Sequence, residues 1–485
     1  MPIIRIFIFL LLAQSSFGQI NFFKLYSDNG DDYGEGIVQL EDSSYVITGS
    51  SSSFFGAGAE AFLLKIDSVG TYQWSNHYGG PETDVGRRVL YKQNVGFYIA
   101  GHSNSYGNGA YDFYLVKTDE AGNLEWEKSY GDFGWERVYD AVMTADTGIL
   151  MVGETNSTFN NNKDMYIVRA DKNGDTLWTK QIGTDYDDML TSIHPLDDST
   201  YFLAGSMYST DSLNIKGCVM KLYDDGSIEW TKQYGYKGNT YINDIHVVNS
   251  EIAGVGYTDK YNDTLLFEFY FRLDLNGGII RERYSGSSGE RKAIAISPYE
   301  TPNKYYIAYS LADIWSYPDG FNDIGIARFS DTLYWEQTAA TIAHYEPDFL
   351  NQLIPTSDGG VIGIGGTNSV DLGYHHVCVV KIGPNDSFPY CLAPHNLEQL
   401  VGIDETAVSL GIDIYPNPAE DYLMIKSESG SDLEIEIINS FGQVILKKSV
   451  NQPSNAIDVS AISSGIYFVK VEVDGKVGLQ KLIIE

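Results

Sequence analysis

From Tyr45 to Ile382 the chain alternates short apolar runs with clusters of Gly, Asn, Asp and Ser, and the alternation has a period. One run in each period ends in a basic residue, at Lys65, Lys117, Arg169, Lys221, Arg272, Arg328 and Lys381, so seven copies follow one another at spacings of 52, 52, 52, 51, 56 and 53. Trp74, Trp126, Trp178 and Trp230 keep the same step of 52; the fifth copy has Arg281 at that position and the sixth Trp335. In the first three copies a Gly precedes the Trp by four residues and an acid by seven, as Asp67-Gly70-Trp74, Asp119-Gly122-Trp126 and Asp171-Gly174-Trp178. Self-similarity at such a step marks stacked supersecondary units, none of which buries its apolar face alone.

Within the copy from Asp84 to Gly131, the runs Arg88 to Tyr91, Phe97 to Gly101, Asp112 to Lys117 and Leu124 to Tyr130 are rich in β-branched and aromatic residues and read as four strands. Asp119-Glu120-Ala121-Gly122 joins the last two as a tight turn whose Gly needs a positive φ, and Asp146-Thr147-Gly148 joins the first two of the next copy as tightly. Four antiparallel strands repeated about every 50 residues predict the blades of a β-propeller. The fold class expected is all-β: a seven-bladed β-propeller over residues 19–384, then a small immunoglobulin-like β-sandwich over 411–485, with 385–410 as a linker. Phe22 to Tyr26 matches Trp74 to Tyr78, a fourth strand with no first three before it, and the seventh copy lacks its fourth strand. The N-terminal strand is therefore expected to pair with His376 to Ile382 and close the ring, removing an exposed edge. A Trp buried against the neighbouring blade would contribute roughly 4 to 6 kcal/mol.

Composition narrows the setting. With 43% hydrophobic and 20% charged residues the chain can bury a large core. Its 65 acids against 32 Lys and Arg give a formal charge of −33, which repels nucleic acid and anionic lipid and suits an extracellular protein with divalent counter-ions. Arg5, the apolar run Ile6 to Ala13 and Ser16-Phe17-Gly18 read as a signal peptide over residues 1–18 that leaves Gln19 as the new terminus. No later apolar run reaches the roughly 18 residues of a membrane helix, so no transmembrane segment is expected in the mature chain. Three cysteines, Cys218, Cys378 and Cys391, are too few for a disulfide scaffold. Cys218 and Cys378 read as small core residues, and a Cys378–Cys391 bridge is left open.

Leu433-Glu434-Ile435-Glu436-Ile437 alternates as a half-buried strand, and six further short runs between Asp413 and Ile484 complete a sandwich pattern. Tyr415-Pro416-Asn417-Pro418, Asn439-Ser440-Phe441-Gly442-Gln443, Ser464-Gly465-Ile466-Tyr467-Phe468-Val469-Lys470 and the closing Lys481-Leu482-Ile483-Ile484 stand in an order that resembles the type A C-terminal sorting domain of the type IX secretion system. The resemblance implies export across the outer membrane of a Bacteroidota-type bacterium, with the secretion machinery as partner, removal of the tail, and release or surface attachment. Tyr415, Pro416, Asn417, Pro418, Gly465 and Tyr467 are the signal residues it implies, and Pro416, Pro418 and Gly465 also read as turn determinants. The Asp-x-x-Gly-x-x-x-Trp spacing resembles the tryptophan-docking motif of quinoprotein-like propellers, which implies architecture alone. The adjacent cysteines of quinoprotein dehydrogenases are absent.

Since tight turns share one rim, the longer connections gather at the other: Ser51 to Glu60, His102 to Tyr111, Thr155 to Lys163, Ser206 to Lys216 and Thr258 to Asp263, with the links between blades. Their Asn, Ser, Gly, Tyr and acidic residues suit adaptable polar contact with aromatic platforms. The candidate ligand face comprises Asp32, Asp84, Glu136 and Asp188, ten residues after each outer-strand position, with Tyr106, Tyr111 and Trp135. A ring of carboxylates could hold calcium or serve as acid and base on a glycan, whereas a periodic acid more often caps the same loop amides in every blade. Motifs for zinc proteases, nucleophile elbows and phosphate or dinucleotide loops are absent. His375-His376 and the Asp171 to Asp175 turn lack the further ligands of a metal site. No catalytic residue, cofactor or metal is assigned. The expected function is a secreted or cell-surface binding module for a glycan, peptide or matrix ligand. The alternatives are a hydrolase or lyase on the same face, or a structural adhesin.

Overall fold

The computed structural model describes residues 21–26, 30–52, 58–157, 162–235, 238–259, 266–285, 290–298, 304–312, 322–330, 332–342, 348–368, 374–384 and 388–391, and the strands of the tail between 412 and 484. The expected signal peptide, the Pro416-Asn417-Pro418 turn and the side chain of Cys391, hence the bridge to Cys378, lie outside the described residues. Cys218 and Cys378 are both buried. Two compact units divide the chain, one from Asp32 to Pro394 with the residues up to Lys24, the other His395–Glu485 with Leu25–Asp31.

Seven sheets, each with four strands of the repeat and one with a fifth, build the first unit, and in the first six the four repeat strands lie in chain order from the inside out. Blade 2 holds Asp84–Lys92, Gly96–Ser103, Asp112–Thr118 and Leu124–Tyr130, each within a few residues of its expected run. The first strands of successive blades lie against one another, and Asp348–Pro355 of the seventh lies against Asp32–Gln39 of the first, so the sheets close into a ring. The seventh blade takes Asp348–Pro355, Val361–Thr367 and His376–Ile382 from the end of the ring and Phe22–Tyr26 from its start as the outer strand. The chain is a seven-bladed β-propeller with its seam in the last blade.

The repeated Trp explains how neighbouring blades grip. A Cβ on Gly122 would lie 2.9 Å from the Trp74 ring, on Gly174 2.7 Å from Trp126, on Gly226 3.2 Å from Trp178 and on Gly277 3.0 Å from Trp230. Each Trp thus lies on the third-to-fourth-strand turn of the next blade, whose Gly sits at a φ of 73° to 82°. Phe22 plays the same part at the seam, 3.0 Å from the Cβ position of Gly70. Tyr78 and Tyr130 donate to the Gly122 and Gly174 carbonyls at 2.6 and 2.7 Å. The indoles are half-buried, so each contributes about 2 to 3 kcal/mol, less than full burial would give. Gly122→Ala, which meets both the positive φ and the Trp74 ring, is expected to lower the unfolding free energy by about 1 to 2 kcal/mol in a urea titration. A midpoint unchanged from wild type would show that the turn does not hold the indole.

The inner strands share a device that the repeat pattern did not reveal. Each carries a register shift at the same place, at Gly34/Gly36, Gly86/Arg88, Val138/Asp140, Leu190/Ser192, Ile242/Asp244, Ala293/Ala295 and Leu350/Gln352. A bulge turns consecutive side chains away from strict alternation, so one strand can reach both neighbours. Arg88 donates to Asp140 at 2.7 Å, and the Ile193 amide donates to the other Asp140 oxygen at 2.9 Å. Asp244 accepts from the Ser192 hydroxyl and the Ile296 amide, both at 2.9 Å. Across the seam Gln352 accepts from the Ile37 amide at 2.8 Å, and Asn351 donates to the Gly34 carbonyl at 2.9 Å.

Burial pushes the Asp244 carboxyl up to about 7, with Asp140 adding to the rise and the Ile296 amide and Arg88 opposing it. An acid whose folded pKa exceeds its unfolded value keeps a proton on folding, so on its account stability falls as pH rises from about 4 to 7. Asp244→Asn should remove that slope, gaining about 2 kcal/mol on wild type between pH 5 and pH 8 in paired urea titrations. A gap between the two proteins that stays constant with pH would refute this.

Two segments differ from expectation. In the expected linker, Phe388–Cys391 forms a fifth strand, parallel to Trp335–Ile342 on the outer edge of blade 6. That edge presents unpaired N–H and C=O groups, which any extended segment within reach can satisfy. In blade 4 the connection read as a loop is a hairpin, because Thr200–Ser209 and Asn214–Tyr223 stay paired as far as Ser209 and Asn214. The tail forms sheets of three and four strands around one apolar core that includes Leu423, Ile425 and Ile457 from the first and Ile435, Ile437, Val469 and Leu482 from the second, a small β-sandwich.

Candidate functional site

The four periodic acids stand at the start of the first strands of their blades, Asp188 one residue before its strand, and are buried, Asp32 to 4%, Asp84 to 0%, Glu136 to 1% and Asp188 to 0% exposure. Their amides tie the rim together, because Asp32, Asp84, Glu136 and Asp188 donate to the carbonyls of His375, Ala59, Tyr111 and Lys163 in the preceding blade. Three of the carboxylates also organise loops. Asp84 accepts from the Gly80 amide at 2.7 Å and the Ser105 hydroxyl at 2.8 Å. Glu136 accepts from Thr155 and Ser157 hydroxyls at 2.5 and 2.6 Å and from the Asp132 amide at 3.2 Å. Asp188 accepts from the amides of Thr184 and Tyr208. Burial pushes the Asp84 and Asp188 carboxyls upward, and the same hydrogen bonds pull against it. These acids act as loop caps. Among the described residues no group of three or more His, Cys, Asp or Glu side chains is placed to hold a metal.

Behind the caps an Asn-Ser pair recurs. Asn104 and Ser105 accept from the amides of Thr83 and Glu82, and Asn156 and Ser157 from those of Trp135 and Gly134, so links and loops are bound into one rim. The predicted aromatic residues sit on that rim. Tyr106, 37% exposed, donates to the Gly79 carbonyl at 3.1 Å and stacks 5.9 Å from Tyr114; burial pushes its hydroxyl up to about 12. Tyr111 and Trp135 come together across a parallel bridge, with the Arg137 guanidinium 5.4 Å from the first ring and 4.9 Å from the second. Lys163 lies 5.2 Å over the Trp135 ring and 3.4 Å from Glu154. His102 stands edge-on to Tyr111 at 5.5 Å, and burial, with Arg87 and Arg137, pushes it down to about 3. Phe133 on the same link is 91% exposed, with Tyr186 at 51% and Leu213 at 73% on the links and hairpins beyond.

Sequence reasoning missed Arg137, Lys163, His102 and Phe133. The available signal was a break in the repeat, since the equivalent residue is Tyr33, Val85, Met189, Tyr241 or Phe349 in blades 1, 2, 4, 5 and 7, and a base only in blades 3 and 6, as Arg137 and Lys292. In the tail, Tyr415 is 46% exposed at the end of Ile412–Tyr415, and Gly465 opens Gly465–Val473, which carries Tyr467.

Residues 413–485 match the family described as the secretion system C-terminal sorting domain. The tail is a type IX export signal. The sorting domain directs the propeller to the cell surface or beyond it, in contact with the secretion machinery. Among the described residues no helix is long and apolar enough to cross a membrane. No curated protein matches the chain by sequence. Solved structures similar to it include PorZ, a bacterial surface component of the type IX secretion system of Porphyromonas gingivalis, at 11% identity and a TM-score of 0.38. That match covers 92% of this chain and 59% of PorZ, so the chain spans little more than half of that relative. A fungal alcohol oxidase of the AA5 family in complex with copper aligns at 10% identity over 96% of this chain and 99% of its own, with a TM-score of 0.44. A protein of unknown function from Dyadobacter fermentans aligns at 9% over 75% and 98%, with a TM-score of 0.42.

Proposed function

We propose that the exported propeller is a binding module whose loop rim captures an extracellular glycan. The observation that carries this reading is the set of aromatic and apolar side chains that folding leaves to solvent on that rim, Phe133, Tyr186, Tyr106 and Leu213. Burying them would offset the conformational cost of folding, so leaving them exposed on loops pinned by hydrogen bonds suits ligand contact. Flat rings among Asn, Ser and Gly side chains give stacking faces beside hydrogen-bonding groups, the combination a sugar ring needs. The acids that could have served hydrolysis are engaged by loop donors.

Changing Tyr106, Tyr111 and Trp135 together to Ala should abolish retention on polysaccharide columns while the unfolding midpoint stays within a few degrees. Retention only by immobilised peptides would move the ligand class to protein, and release of reducing ends from the retained polymer would move the assignment to a hydrolase.

A further inference from the structure

Bases are outnumbered two to one in this chain, and several of the well-buried ones are matched to acids: Arg88 with Asp140, Arg169 with Asp146 and Asp224, Lys381 with Asp358. Arg137 makes no ion pair among the described residues, and its Nε has no hydrogen-bond partner there. Two rings hold it instead, Trp135 and Tyr111, and beside them lies the Lys163 ammonium, whose 3.4 Å pairing with the buried Glu154 leaves its side chain 30% exposed. The Nδ1 of His102, next to Tyr111, is likewise buried without a partner. A guanidinium held by stacking is fixed in orientation while its edge N–H groups stay open to an acceptor, the arrangement that receives a carboxylate or sulfate by paired hydrogen bonds. Phe133, 91% exposed, precedes Trp135 by two residues on the link that leads into this strand.

We propose that the cluster of Arg137, Lys163, Tyr111, Trp135 and Phe133 between blades 2 and 3 binds an anionic sugar residue, carboxylated or sulfated, with the acid group on Arg137 and Lys163 and the ring against the aromatic side chains. The inference rests on the glycan-binding reading and narrows it to one site and one charge class. A formal charge of −33 works against unspecific adsorption of polyanions, so retention by an acidic polymer has to come from a local site.

Affinity electrophoresis of the mature chain through gels containing polygalacturonate, dextran sulfate or neutral dextran, all with a chelator to remove calcium bridging, provides the test. Retardation is expected in an anionic gel and not in neutral dextran; polygalacturonate alone would identify a carboxylate and dextran sulfate alone a sulfate ester. Arg137→Gln should weaken it about tenfold or more at an unchanged unfolding midpoint; Lys163→Gln should weaken it less, and lower the midpoint because it leaves the buried Glu154 carboxylate without its counter-charge. Should Arg137→Gln fail to fold, Lys163→Gln and Phe133→Ala carry the test. Equal retardation in neutral and anionic gels, or retardation that the substitutions leave intact, overturns the anionic site while sparing the glycan-binding reading. Absence of retardation in all three gels overturns the site, and that reading falls separately if no polysaccharide column retains the protein.

Discussion

Deleting residues 19–30 lowers the melting temperature of the propeller by on the order of 10 °C and makes the protein associate. The deletion removes the outer strand of blade 7, including Phe22, 8% exposed, whose ring lies on the Gly70 turn of blade 1. Burial of that ring alone is worth about 2 to 3 kcal/mol, and the strand's ladder and remaining side chains add to it. His376–Ile382 would then present a bare edge at the point where the ring closes, a template for pairing with another chain. Calorimetry reads the first effect and light scattering the second. A thermogram like that of the intact chain would show that the seam is not what holds the ring.

Asp140→Ala is expected to cost about 3 to 5 kcal/mol, well beyond the loss from Gly122→Ala. The carboxylate joins three blades, accepting from Arg88 of blade 2 and from the Ile193 amide of blade 4 while its own strand belongs to blade 3. Arg88 and Asp140 side chains are only 15% and 12% exposed, so truncation leaves a largely buried guanidinium without its counter-charge and an amide without an acceptor. Replacing both as Arg88→Met with Asp140→Leu should recover much of the loss, because the penalty comes from the unpaired charge more than from the missing bond. Urea unfolding of the two variants against wild type measures both terms. A loss below about 1 kcal/mol for Asp140→Ala would mean that water reaches the pair and screens it.

The blades, their number and their seam were legible because each rests on a local signal repeated many times. A Gly that needs a positive φ before a Trp, as at Gly122 and Trp126, fixes a hairpin by itself, and Phe22 matched Trp74 by the same phrase. The inner polar ring was not legible. Its members are Arg88, Asp140, Ser192, Asp244 and Gln352, equivalent positions filled by unlike residues, and the bulge that aims them leaves no mark in the apolar pattern. The fifth strand on blade 6 was missed for a related reason, since Phe388–Cys391 pairs through its backbone to a distant edge. At the candidate face the acids were found as a period, and their uniformity was the sign of capping. Arg137, whose only basic equivalent is Lys292 of blade 6, and Phe133 depart from the common pattern and show only once the repeat is subtracted.

A ring closed by its own first strand has a folding order built into it. Phe22–Tyr26 finds its partner only when His376–Ile382 is available, about 350 residues further along, so closure has a very high contact order and follows the hairpins of every other blade. Blades that assemble one by one from local turns can form early, while the circle stays open until the last of them arrives. Closure is thus expected to come last in folding, after an open arc of blades.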